Sequence, residues 1–128
     1  MPGSNVRNSS LARLRRVCLA LPEATEKLTW EDTPTFRVRD KIFAMFSTDH
    51  HDGRFSLWCK APPGGQDVLV GADPERFFAP PYVGKNGWIG VRLDTEMDWN
   101  VIAGLVEESY LITAPRRLAA ALNPQRQG

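Results

Sequence analysis

Few groupings of residues in this 128-residue chain could do chemistry, and the densest is Asp49-His50-His51-Asp52. Imidazole and carboxylate groups are the ligands of zinc and related divalent ions. Adjacent histidines on extended backbone project to opposite sides, so they meet at one ion only in an irregular loop. The chain's two histidines both stand in this segment, and no further histidine or cysteine is available to complete a site. We therefore read the segment as a solvated hairpin tip and expect no metal. The same count argues against a nucleophile–histidine pair, because a catalytic base needs a rigid, sheltered position within hydrogen-bond reach.

Gly84-Lys85-Asn86-Gly87 is the next candidate. A phosphate loop carries a longer glycine run ending in Lys-Ser/Thr and opens a helix. This segment leads into a strand pattern, so a flexible turn is the expected structure, with Lys85 left to meet an anion. Glu107-Glu108, Glu23 and Glu26 show no spacing that pairs them for acid–base work. We expect Glu107 and Glu108 on a solvated helix face and no catalytic residues, enzyme activity or cofactor. Cys18 and Cys59 sit among apolar neighbours without paired spacing, the pattern of buried thiols in a reducing compartment.

One constellation carries more weight. If strand alternation holds, Arg37, Arg39, Trp58, Lys60, Trp88 and Arg92 project from one face of a sheet. Tryptophans interleaved with cations on an open sheet can stack bases and neutralise phosphates. The same residue types anchor protein interfaces. A third reading has the aliphatic stems of Arg and Lys simply covering the rings. With Lys85, these residues form the candidate binding set, and its partners are DNA or another protein.

The elements that must position this set follow from periodicity. Leu11, Leu14, Val17, Cys18 and Leu21 recur at helical spacing behind a Ser9 or Ser10 cap, and Pro22 closes that helix. Phe36 and Val38 alternate with Arg37 and Arg39. Asp40-Lys41 reads as a tight turn, Ile42–Phe46 as a central strand, and Thr48–Gly53 as a hairpin loop before the alternating strand Arg54–Lys60. Short strands joined by short turns make an antiparallel meander. Short helices are expected at Gln66–Gly71 and at Pro74–Phe78, the second capped by Asp73. Ile89, Val91 and Leu93 then face the core opposite Trp88, Gly90 and Arg92. Asp98 caps the longest helix, whose expected buried side is Ile102, Leu105, Val106, Ser109 and Ile112. Gly104 inside that helix suggests a close helix–sheet approach. A short helix runs from Pro115 to Leu122.

The result is an α+β two-layer sandwich, with an antiparallel sheet and helices on one face. One domain, 9–122, is expected between flexible termini, 1–8 and 123–128. The formal charge of +1 is nearly neutral, but residues 1–60 hold ten basic against seven acidic residues, and 61–128 hold six against eight. The polar start and the arginines at 13, 15 and 16 argue against a signal peptide, and no apolar run is long enough to span a membrane. A cytoplasmic monomer is expected.

The stretches LALPEATEKLTWEDTPTFRV, KIFAMF, APPYVGKNGWIGVRLD and EESYLIT occur in that order between about Leu11 and Leu122. Together they resemble the MmcQ/YjbR family of small bacterial proteins. The pattern most typical of it is Lys85-Asn86-Gly87-Trp88 followed by Val91 and Leu93-Asp94. The resemblance implies a YjbR-like fold of the kind compared with CyaY (frataxin-like) and secretion-chaperone architectures. It also implies the DNA-binding label that family members carry, and no established catalytic residues. The alternative is a protein-interaction adaptor that uses the same open sheet face.

Overall fold

The computed structural model describes residues 2–30, 32–48 and 53–122. It begins with helix α1, Pro2–Leu19. The helix starts well before the expected Ser9 and Ser10 caps, and Ser10 is buried within it. Its apolar stripe does what the spacing predicts, since Leu14 and Cys18 are fully buried. Strand β1, Ala24–Thr29, follows directly. No strand is expected here from the sequence, because Thr25, Glu26 and Lys27 give it almost no apolar alternation. An edge strand needs none, and its charges discourage further strand pairing. A bidentate ion pair from Arg15 to Glu26 (2.6 and 2.9 Å) ties α1 to β1.

Strands β2 (Thr33–Val38), β3 (Lys41–Thr48) and β4 (Phe55–Lys60) form the expected antiparallel meander. The turn between β2 and β3 is Arg39-Asp40, one residue earlier than expected. Both residues have positive φ, 50° and 69°, the geometry of the two-residue hairpin turn whose twist matches its strands. The ladder then slips: Phe36 pairs with Ala44 but Arg37 pairs with Ile42. Phe43 is thus the extra residue of a β-bulge. The bulge allows Phe43 and Ala44, adjacent in sequence, both to be fully buried.

Helix α2 spans Gly65–Ala72, close to its predicted place. The expected helix at Pro74–Phe78 does not form. One turn forms, with Asp73 C=O accepting from the Arg76 and Phe77 N–H groups, and the chain then enters the two-residue strand β5, Phe77–Phe78. Pairing with a strand buries Phe77, whereas a helix there would be stopped at Pro80-Pro81. A short 3-10 turn, Gly84–Asn86, leads into β6, Trp88–Arg92. Gly87 joins them at φ 89°, a conformation glycine adopts without penalty. The sheet has six antiparallel strands in the order β1-β2-β3-β4-β6-β5.

Helix α3, Trp99–Thr113, packs over β3 and β4, and α1 packs against β1 and α3. Asp98 caps α3 as expected, its carboxylate accepting from the Asn100 N–H at 2.9 Å. The buried side of α3 is Ile102, Val106, Ser109, Tyr110 and Thr113. The predicted stripe was therefore rotated: Leu105 is half-buried and Ile112 is exposed. The expected explanation of Gly104 also fails. Gly104 is exposed, and a β-carbon there would meet nothing within 4 Å among the described residues, so no close packing among them requires it. Helix α4, Arg116–Leu122, closes the fold with Leu118 buried. One core cluster joins Leu14 and Cys18 of α1, the inward residues of β2, β3, β4 and β6, and Ile102, Val106 and Tyr110 of α3.

Candidate nucleic-acid interface on the open sheet face

Cross-strand partners in an antiparallel sheet share a face. One row across the sheet face away from α1 and α3 reads Lys27, Thr35, Met45, Trp58, Gly90 and Phe78. A second joins Ser47, Ser56 and Arg92. Lys60 opposite Trp88, and Thr25 beside Arg37 and Ile42, extend the face. Alternation thus brings Arg37, Trp58, Lys60, Trp88 and Arg92 together as predicted.

Two members of the predicted set stand elsewhere. Arg39 occupies a left-handed turn position, where strand alternation no longer applies. Its guanidinium pairs with Glu23 (2.8 and 3.2 Å), on the segment that follows α1, so it does not join the open face. The hydrogen bond from Arg39 holds the Glu23 carboxyl below its ordinary range. Lys85 lies on the exposed 3-10 turn before Trp88, at the end of β6 rather than on the strand face. The Gln66 side-chain amide fixes that turn by donating to the carbonyls of Gly84 and Trp88.

The face is more closely covered than an open-sheet picture implies. Arg37 lies along it, donating to the hydroxyls of Thr35 (3.3 Å) and Thr29 (3.0 Å), and Thr35 is fully buried. The Lys60 ammonium sits 6.0 Å from the centre of the Trp88 ring. Burial, with the nearby Lys41 charge adding to it, lowers the Lys60 pKa. A neighbouring anion would oppose both effects.

The part of the face best formed to hold a ligand is centred on Trp58, Phe78 and Arg92. The Phe78 ring lies across Gly90, where any β-carbon would overlap it. The Arg92 guanidinium stacks on that ring at 4.7 Å. The Trp58 indole N–H donates to the Ser56 hydroxyl at 3.0 Å, which holds the ring along its strand. Arg54 makes a bidentate pair with Asp94 (2.7 and 3.3 Å). Arg54, Ser56, Trp58, Phe78 and Arg92, with Ser47, Phe55 and Pro81, line a shallow cavity of about 200 Å³. It offers an aromatic surface, two hydroxyls, and a guanidinium, Arg92, with no carboxylate partner among the described residues.

Sequence reasoning missed Phe78, Gly90, Arg54 and Ser56 as parts of this site. Gly90 was the available signal. A glycine inside a strand pattern marks a place where another group approaches closely.

The Asp49–Asp52 cluster lies outside the described residues. Among the described residues no group of three or more His, Cys, Asp or Glu side chains could hold a metal ion. No described helix is long and apolar enough to cross a membrane. Cys18 and Cys59 are free, buried thiols, as expected.

A family model, YjbR, matches residues 19–112. In three dimensions the chain is similar to the Deinococcus radiodurans protein DR2400, a DUF419 domain known from its crystal structure. The two superpose with a TM-score of 0.67 at 27% identity, over 77% of this chain and 74% of that one. No curated protein matches in sequence. The α+β sandwich is thus shared with a solved structure, the family match spans most of the chain, and the protein belongs to the YjbR family.

Proposed function

We propose that the protein binds DNA, in single-stranded form, through the sheet face that carries Trp58, Phe78, Trp88, Arg37, Lys60 and Arg92. The observation that carries this reading is the Arg92–Phe78–Trp58 cluster. A stacked guanidinium without a carboxylate partner among the described residues lies beside two aromatic rings and two serine hydroxyls. Such a surface can take a base against its rings and a phosphate against its cation. A sheet face suits a single strand with splayed bases, whereas the major groove of a duplex accepts a protruding helix or ribbon. Lys85, exposed at the end of β6, extends the cationic track toward Trp88 and Lys60.

Fluorescence anisotropy of labelled single- and double-stranded oligonucleotides, at low and near-physiological salt, tests this reading. Single strands should bind more tightly, with affinity falling as salt rises. Arg92→Ala should weaken binding by about 1–3 kcal/mol if it stacks and neutralises as described. Lys85→Ala should flatten the salt slope by about one unit. Absence of binding at low salt would overturn the proposal. The same face would then be examined as a protein-interaction surface, with association insensitive to salt and lost in Trp58→Ala.

A further inference from the structure

A helix that is apolar all round belongs in an interior, whereas a surface helix carries one apolar stripe. Helix α3 has two. The first, Ile102, Val106, Ser109 and Thr113, is buried against the sheet. The second, Val101, Leu105 and Ile112, runs along the outer side at the same helical spacing. Val101 is 44% and Ile112 49% exposed. Gly104 adjoins the outer stripe and lines a groove with Val101, Leu105 and Leu111. Glycine in a helix interior costs about 1 kcal/mol relative to alanine, and no contact with the described residues accounts for it.

The neighbouring helix has the complementary chemistry. The outward side of α1 presents Val6, 51% exposed, and Leu19, 40% exposed, together with Arg16, while Arg13 lies over the Trp99 ring of the same chain at 4.8 Å. Described side chains of α1 include four arginines and no acid, and of these Arg15 is paired with Glu26. The outer side of α3 presents Glu108. We propose that this helical layer is a homodimer interface, in which α1 of each copy lies against α3 of the other. A two-fold axis between α1 and α3 generates that arrangement and uses the same patch twice. It sets Arg16 of one copy against Glu108 of the other and covers apolar residues of both helices. It also allows a partner backbone to approach at Gly104. The interface lies on the side of the sheet away from the proposed nucleic-acid face, so the two readings stand or fall separately.

Sedimentation velocity of the full chain over a range of concentrations reads the assembly directly. A monomer–dimer equilibrium is expected. Val101→Glu and Glu108→Arg should each raise the dimer dissociation constant at least about tenfold. Arg16→Glu should do the same, and combining it with Glu108→Arg should restore association. Gly104→Leu should weaken the dimer while raising the melting temperature of the isolated monomer, which separates loss of the interface from loss of the fold. Circular dichroism checks that each variant is folded. A monomer at every concentration up to about 1 mM, or a dimer that none of these substitutions weakens, would overturn the proposal.

Discussion

Ser109 stands where the β3–β4 ladder gives way at the bulge. Its hydroxyl donates to the Phe43 carbonyl and accepts from the Lys60 N–H at 2.9 Å, bridging two backbone groups that do not pair directly. A residue that is both donor and acceptor is required there, and it must be small enough to lie between a helix and a sheet. The next residue, Tyr110, packs edge-on against Phe43 at 5.4 Å and donates its hydroxyl to the Pro22 carbonyl. Ser109→Ala would leave a buried carbonyl and N–H without partners, at about 1–3 kcal/mol for such a group. Chemical denaturation should show that loss, and Ser109→Thr should recover part of it if the extra methyl fits. An unchanged midpoint in Ser109→Ala would mean that water replaces the bridge.

At the scale of the element, α3 separates two uses of apolar residues. Ile102 is fully buried, and truncating it to alanine should destabilise the domain by about 2–5 kcal/mol. Leu105, half-buried on the outer side, should lose distinctly less on the same truncation. Gly104→Ala should stabilise the monomer by about 1 kcal/mol, because the added methyl meets no neighbour and the unfolded chain loses freedom. Denaturation at concentrations where the chain is monomeric measures all three. Equal losses at Ile102 and Leu105 would contradict the helix orientation described above. The same logic explains why β1 and β5 were hard to see. An edge strand with one solvated face and a two-residue strand carry too little apolar periodicity to stand out from loops.

For the molecule as a whole, the buried thiols make stability sensitive to alkaline pH. Burial, with a smaller contribution from Glu108, raises the Cys59 pKa from its usual 9.0 to about 12. Burial raises Cys18 likewise. A raised folded-state pKa leaves stability intact below the unfolded value and removes it as pH rises toward the folded one. The denaturation midpoint should therefore hold up to about pH 9 and fall between about pH 9 and 12. Tyr110, raised chiefly by burial, adds to the decline above its ordinary value near 10. Cys59→Ala should lower the midpoint at neutral pH and flatten the alkaline slope. A slope unchanged by that substitution would show that the thiol does not control it. Both cysteines should also resist thiol reagents until the domain unfolds.

Patterns within a single element were legible in the sequence. The α1 stripe, the alternation of β2, β4 and β6, the Asp98 cap and the shared face of Arg37, Trp58, Lys60, Trp88 and Arg92 all depend on local period and side-chain type. These survive folding because burial of an amphipathic face selects the same period that the backbone geometry imposes. The tertiary structure decided what depends on residues distant in sequence. Arg39 left the open face because a left-handed turn and Glu23 claimed it. Phe78 became a strand residue because β6 offered it a pairing edge, and in doing so placed the ring on Gly90 and under Arg92. The bulge at Phe43 and the rotation of α3 away from Leu105 and Ile112 were likewise set by how helix and sheet pack. Side-chain spacing states which residues can share a face. Which face is covered, and by what, is a property of contacts between elements, and no local period encodes it.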